Sequence, residues 1–493
     1  MPLPTVTLAE SLFESGTQAL ERGGADDLAQ AEALLRQALA LAPRLAEAHA
    51  NLAWLLDRRG ARDEALSHYV HAAGLQPDNA RIHLNHGALL AECRQPHAAE
   101  ASYRRALALE PTWPGVWSNL GALLAVTGRD AQAEHALRHA LALGPPDQPP
   151  HAGAQFNLAC LLLRQGRFEE GWHRLEARDW YAPVAARLNA PRWRGEALTG
   201  RRILVVYEAG HGDLVQFCRY VPLLKARGAH KVDVLCHPAL KTLLQSLDGV
   251  ATVTAFNDTP PEPEPDPDGA GDGAPRWHCW VPALSLPWLC GTHSVEAIPA
   301  ALPYLHAPPD RLAHWRAVLD QRLPAAPTAT LRPRRVGLVW RGSTAFENDA
   351  ERSLPDLSLL APLWQVPGLH FISLQKGAGE DEARRPPPGQ PLLDIAADLH
   401  DFADTAAVIA QLDLVISVDT GVAHLAGALG KPCWVLLPSY MTDWRWLEHR
   451  SDSPWYPGVM RLFRRQTGQD WPVEALRDAL ARGVHPPAGT RSA

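Results

Sequence analysis

No stretch of the 493-residue chain stays apolar for the 18 or so residues that a bilayer-spanning helix requires, which argues against a membrane span. The opening Met1-Pro2-Leu3-Pro4-Thr5-Val6-Thr7 has neither a basic patch nor an apolar core, so no secretory leader is expected and the chain is assigned to the cytoplasm. Cysteine is sparse and scattered. The seven thiols (Cys93, Cys160, Cys218, Cys236, Cys279, Cys290 and Cys433) form no C-x-x-C pair, so a disulfide framework is excluded and reduced, packed thiols are expected. An excess of positive charge is also missing: 47 Lys and Arg face 54 Asp and Glu, for a net charge of −7. A nucleic-acid partner, which needs a basic face against its phosphates, is therefore not expected.

What the chain does have is a repeat. Pro43, Pro77, Pro111 and Pro145 lie 34 residues apart, as do Ala38, Ala72, Ala106 and Ala140, and Ala31, Ala65, Ala99 and Ala133. Ala19, Ala53, Gly87 and Gly121 keep the same step. Small residues at fixed places let paired helices approach closely, and the recurring proline ends the second helix of each pair. This periodicity, with Trp117, Leu120 and Gly121 in a W-x-x-L-G segment, resembles the tetratricopeptide repeat. An α-solenoid arm is expected over residues 1–180, including a degenerate fifth unit from about Ala152 to Arg178. Asn51, Asn85, Asn119 and Asn157 recur along the first helices as a candidate ladder for a peptide backbone, which makes a protein partner on the arm one expectation. The other is that asparagine is merely tolerated there. His135 and His139, at i and i+4, have a metal-compatible spacing but no third ligand, so they read as a polar helix face.

Beyond a linker at 181–200, the pattern changes to strands alternating with helices, as in parallel α/β folds. Arg202–Tyr207 reads as a buried strand running into Gly210-His211-Gly212-Asp213 and a helix. The full G-x-G-x-x-G fingerprint is absent because Val215 occupies its last position, which disfavours a classical NAD site. Residues 257–275 are dominated by Pro, Asp, Glu and Gly and read as a surface insertion. The Asp266-Pro267-Asp268 within it reads as an accidental match to metal-binding D-x-D motifs. Arg335–Trp340 starts a second lobe and leads to the small polar loop Gly342-Ser343-Thr344. The run Leu412–Asp419, then Thr420-Gly421-Val422-Ala423-His424, places a small-residue helix start at a strand end, a ready site for a diphosphate, with Thr420 as the expected cap.

Residues 201–480 resemble family-nine, heptosyltransferase-like glycosyltransferases, particularly the bacterial group that joins such a domain to tetratricopeptide repeats. The resemblance rests on Gly210-x-Gly212-Asp213-x-x-Gln216-Phe217, Ser285-Leu286-Pro287, Trp340-x-Gly342, Asn348-Asp349, Arg352-Ser353, Gln375-Lys376-Gly377, Asp419-Thr420-x-x-x-His424, Asp443-Trp444-Arg445-Trp446 and Ser453-Pro454-Trp455. It implies a GT-B fold of two Rossmann-like lobes, 201–325 on the acceptor side and 326–493 on the donor side. It further implies an inverting transfer from a nucleotide-sugar co-substrate to a protein or glycan acceptor, with no metal and no bound cofactor. Asp213 then matches the catalytic base. Gly210, Gly212 and Gln216 fall on the acceptor side. Gly342, Ser343, Thr344, Arg352, Lys376, Asp419, Thr420, Gly421 and His424 fall on the donor side. The alternative reading is a catalytically inactive scaffold that binds proteins through its repeats.

Overall fold

The computed structural model describes residues 4–144, 149–258, 276–324 and 333–483, and it divides into two compact units, Met1–Leu161 and Leu162–Ala493. The first unit is built from helix pairs: Pro4–Arg22 with Ala25–Leu41, Ala46–Arg58 with Arg62–Leu75, Ala80–Glu92 with Pro96–Leu109, and Pro114–Val126 with Asp130–Leu143. Small residues set how closely each pair packs. A Cβ on Gly87 would lie 2.7 Å from the Tyr103 ring, and one on Gly121 would lie 2.6 Å from the Leu137 side chain.

The periodic prolines have a second use that the sequence reading did not anticipate. The carbonyls of Pro43, Pro77 and Pro111 each accept a ring N–H six residues on, from His49 at 3.1 Å, His83 at 2.9 Å and Trp117 at 2.8 Å. Carbonyls left over where a helix ends are thereby satisfied in the same way in three successive repeats. Pro145, the fourth of the set, lies outside the described residues. Asn51, Asn85 and Asn119 are each the sixth residue of their helix and are half-buried, as is Asn157 on the helix Pro149–Arg164. Asn51 donates to the Thr17 hydroxyl at 3.1 Å, and Thr17 stands 34 residues earlier, so a threonine holds the preceding rung. His135 and His139 stack on each other with centroids 6.2 Å apart, and His139 meets the edge of Trp117 at 4.6 Å, so these rings pack against neighbours.

The second unit begins earlier than the expected arm would end. The helix Phe168–Leu175 lies within it and packs on Leu286–Leu289. Its Trp172 is buried against Phe217, Trp444 and Trp455, an aromatic cluster too large to leave behind in a separate arm.

Two parallel sheets follow. The first comprises β1 (Arg202–Val206), β2 (Lys231–Cys236), β3 (Thr252–Ala255) and β4 (Cys279–Pro282), in the order β3-β2-β1-β4. The second comprises β5 (Arg334–Val339), β6 (Leu369–Ser373), β7 (Leu393–Asp394), β8 (Leu414–Val418), β9 (Cys433–Leu437) and β10 (Met460–Arg464), in the order β10-β9-β8-β5-β6-β7. Numbered from its own first strand, that second order is 3-2-1-4-5-6 read from the β7 edge, the doubly wound Rossmann arrangement. Strands β8 and β9 are buried at every residue, as expected where helices cover both faces. Ligands of such sheets gather at strand carboxyl ends where the order reverses, here between β1 and β4 and between β5 and β8. The segment 259–275, with its Asp266-Pro267-Asp268, lies outside the described residues.

Candidate active site

Both reversal points contribute to one seam. After β1 the chain runs through Tyr207-Glu208-Ala209-Gly210 into the helix His211–Phe217, with Ala209 in the left-handed region at φ 55°. Asp213 is the third residue of this helix and reaches back, its Oδ2 accepting the Gly210 N–H at 2.7 Å. Its Oδ1 pairs with the Arg445 guanidinium from the second lobe. Arg445 also holds both oxygens of Asp443, at 3.0 and 2.8 Å, and lies 4.2 Å over the Trp444 ring. One cation is thus clasped between two carboxylates. Burial pushes the Asp213 pKa up, Arg445 and the Gly210 N–H oppose it, and the balance stays upward.

The facing element is the helix Gly421–Ala428, which packs directly against His211–Phe217. The approach is backbone to backbone: a Cβ on Gly212 would stand 3.2 Å from the Gly421 Cα and 3.0 Å from the His424 ring. Thr420 occupies the cap position with extended backbone, yet its side chain does not cap the helix. Its hydroxyl instead meets that of Ser417, the penultimate residue of β8, at 3.0 Å. This corrects the expected cap and leaves the helix N-terminus without a side-chain acceptor of its own.

Asp419, immediately before Thr420, has its pKa raised to about 6 by burial and by the neighbouring Asp443 charge. Because the folded value lies above the unfolded one, the charged form penalises folding above about pH 6, and the penalty fades as pH falls toward the ordinary carboxylate range. Asp419→Asn should therefore raise the melting temperature at pH 8 by roughly 1–2 °C, the shift expected for about 1 kcal/mol in a unit of this size. The gain should disappear near pH 4, and calorimetric melts at both pH values check it. His424 is buried, with Nδ1 at 2.9 Å from the Tyr456 hydroxyl and its ring stacked 5.1 Å from Trp446. Burial, with Arg445 and Arg219 nearby, lowers its pKa far enough to keep it neutral.

The remaining expected residues are distributed as follows. Gly342 donates to the Ser353 hydroxyl at 2.8 Å and has no room for a side chain, since a Cβ would sit 2.6 Å from Arg352. Arg352 pairs with Asp349 at 3.2 Å and covers the Phe346 ring at 4.2 Å. Lys376 reaches the Ala396 carbonyl at 2.5 Å. Ser343 and Thr344 are exposed in the loop beyond β5, where the Ser343 hydroxyl accepts the Ala345 N–H at 3.3 Å. Gln216 is fully buried, and its amide atoms have no hydrogen-bond partner among the described residues. The tryptophans at 444, 446 and 455 are buried, in keeping with a packing role.

Three features were not assigned from sequence. Arg445, part of a quoted motif, is the cation that joins the lobes at Asp213. Gln375 ties the two strand-end loops together: its carbonyl accepts the Trp340 and Arg341 N–H groups, both at 3.0 Å, while its amide donates to Arg341 and Ala378 carbonyls at 3.0 and 2.7 Å. Gln375→Leu strands these buried groups and should cost about 2–4 kcal/mol, at about 1–3 kcal/mol for each unsatisfied group, read from urea unfolding. Glu208, in the turn before Asp213, is buried and gripped by Arg178 at 3.0 and 2.7 Å and by the Leu284 N–H at 2.8 Å. Arg178 and Arg192 both reach the Ser285 hydroxyl, which explains the quoted Ser-Leu-Pro segment.

Two doubly wound lobes meeting at their switch points, in a chain that begins with paired-helix repeats, define a repeat protein with a GT-B-type α/β unit. Residues 369–437 match the family model for glycosyltransferase family 9 (heptosyltransferase). The second lobe therefore contains a segment that matches glycosyltransferase family 9, in a chain that opens with paired-helix repeats. It is similar to Protein FlbA of Caulobacter vibrioides, 31% identical over 351 residues, which cover 66% of this chain and 55% of that protein. The chain thus spans about half the length of the curated relative it matches. Among solved structures, a crystal structure of MamA protein is 18% identical with a TM-score of 0.29, covering 34% of this chain and 86% of that one. A structure of Pseudomonas aeruginosa pilF is 23% identical with a TM-score of 0.32, covering 46% and 88%. Among the described residues, no helix is long and apolar enough to cross a membrane.

Proposed function

We propose that the chain is an inverting glycosyltransferase that moves a sugar from a nucleotide-sugar to a protein or glycan hydroxyl without needing a metal ion. The observation that carries this reading is the ion pair between Asp213 of the first lobe and Arg445 of the second, set beside the uncapped start of the helix Gly421–Ala428. The sugar diphosphate sits at that helix start, where N–H groups and the positive dipole end meet its charge. Arg445 turns from Asp213 to the diphosphate, replacing the charge a metal would supply. Asp213 Oδ1 is then open to the acceptor hydroxyl. The base takes its proton, the oxygen bonds to the anomeric carbon, and the bond from that carbon to the diphosphate breaks from the opposite side.

Asp419, Thr420 and Gly421 frame the diphosphate, and His424 supports that helix as a neutral, packed ring. Gly342, Ser343 and Thr344 offer further N–H and hydroxyl groups. Arg352 and Lys376 serve the donor only if they leave Asp349 and the Ala396 carbonyl. Gly210 and Gly212 shape the turn on the acceptor side, with Gln216 beneath it. The repeat arm recruits a protein partner through Asn51, Asn85, Asn119 and Asn157.

The engagement of both Asp213 oxygens favours one competing reading, an inactive scaffold in which the carboxylate only braces the lobes. A thermal-shift screen with UDP, GDP, ADP and CMP, followed by turnover of the matching nucleotide-sugars, separates the two. The transferase reading expects stabilisation by at least one nucleotide and release of diphosphate nucleotide or CMP from its sugar. A melting point indifferent to all four supports the scaffold.

A further inference from the structure

Three ring side chains stand at equivalent places on the first lobe. Tyr207, His237 and Phe256 are each the first residue beyond β1, β2 and β3, and these strands are neighbours in the sheet. The rings gather into one three-cornered cluster at the carboxyl edge. Tyr207 and His237 have centroids 4.5 Å apart, His237 and Phe256 5.7 Å, and Tyr207 and Phe256 5.5 Å. The cluster is tied to the turn that carries Asp213, because His237 Nε2 donates to the Ala209 carbonyl at 3.2 Å. It continues to His211, 4.6 Å from His237 and two residues before Asp213 on the same helix. Its outer end is open to solvent, with Phe256 46% exposed.

We propose that this edge seats a neutral glycan acceptor, with one sugar ring against the cluster of Phe256, His237 and Tyr207 and a hydroxyl delivered to Asp213. The proposal rests on the transferase reading for the reaction, but the saccharide seat itself can be tested without it. The three centroids lie 4.5, 5.5 and 5.7 Å from one another, so together they offer a patch that matches one pyranose ring. The C–H faces of a pyranose are weakly positive and match the negative face of an aromatic ring, while imidazole and phenol edges supply hydrogen bonds to hydroxyls.

The charge balance selects a neutral ligand. The charged pair beside Phe256, Lys241 and Asp258, neutralise each other at 2.8 Å, and the same Asp258 caps the Ala255 N–H at 2.8 Å. Burial and the adjacent His237 lower the His211 pKa to about 4, so it adds no cation at neutral pH. Among the described residues of this cluster, a phosphorylated lipid would find no unbalanced positive charge. An extended peptide would find rings where it needs backbone partners.

Saturation-transfer NMR on the full chain tests the seat directly, with maltose, cellobiose and chitobiose as probes and a serine- and threonine-rich peptide as the competitor class. Saturating the aromatic protons should carry signal to the pyranose C–H protons of at least one disaccharide. The exposed Phe256 can be cut to alanine with little effect on folding, verified by its melting temperature, and Phe256→Ala should reduce that transfer at least fivefold. Tyr207→Phe should retain most of it, since the ring face is kept. The proposal is overturned if none of the three disaccharides receives signal, if Phe256→Ala leaves the signal unchanged, or if only the peptide is saturated. Nucleotide titration of the unaltered chain reports separately on the transferase reading. Saccharide signal dependent on Phe256 with no nucleotide binding would sink that reading and retain the seat.

Discussion

Asp213→Asn should remove sugar transfer almost entirely while leaving the fold in place. The amide keeps the shape and can still accept the Gly210 N–H, but it cannot take a proton. A positioned general base contributes about 10²–10⁴-fold, so a loss of turnover in that range is expected from steady-state measurement of nucleotide release. The pH profile gives a sharper readout. Because burial holds the Asp213 pKa above the ordinary carboxylate range, the acidic limb of the unaltered enzyme should lie at higher pH than an exposed aspartate would place it, with rate rising as the carboxylate ionises. In Asp213→Asn that limb should vanish from whatever residual rate survives. An intact acidic limb, or wild-type turnover, would remove Asp213 from the role of base.

Arg445→Ala carries the second large effect, and it acts on stability as well as rate. The guanidinium is 9% exposed and compensates Asp213 and Asp443, with Asp419 also in its field. Deleting it leaves several carboxylates in a poorly solvated seam, and breaking a buried pair from one side costs about 3–5 kcal/mol. Turnover should fall by about 10²–10³, the loss typical of removing one group that meets the departing charge. Arg445→Lys keeps the charge but not the two-sided grip, so it should rescue most of the stability and little of the rate. The double variant Arg445→Ala, Asp213→Asn should be more stable than Arg445→Ala alone, since it removes one of the uncompensated charges. Equal unfolding midpoints for those two proteins would show that the pair is not coupled.

The parts of this architecture that repeat or bury long apolar runs were legible from sequence. The 34-residue period locates the helix pairs, and the small residues at Gly87 and Gly121 mark close helix contacts. Strands β1 and β8 fall within their expected runs, because each is a block of largely buried β-branched and aliphatic residues. Strands β4, β7 and β10 gave little signal. β4 is four residues long and ends in proline, β7 has two residues, and β10 is interrupted by two arginines, Arg461 and Arg464. The site was legible where chemistry is local, as in the Gly210–Asp213 turn and the Asp419–Gly421 helix start. It was opaque where partners are remote. Asp213 and Arg445 are 232 residues apart, and Ser285 meets Arg178 across 107, so no window on the chain contains either contact. Arg352 and Lys376 show the converse: their loop positions suggest phosphate cations, yet nearby acceptors inside the lobe engage both.

The contact between Gly212 and Gly421 sets a mechanical limit on the molecule. With only hydrogens on the facing α-carbons the two lobes meet at main-chain distance, and a methyl added at Gly212 would press on the Gly421 Cα and the His424 ring, whereas one added at Gly421 would meet Gly212 at ordinary contact distance. The tolerance is therefore one-sided: bulk is refused on the first lobe's helix and admitted on the helix that faces it.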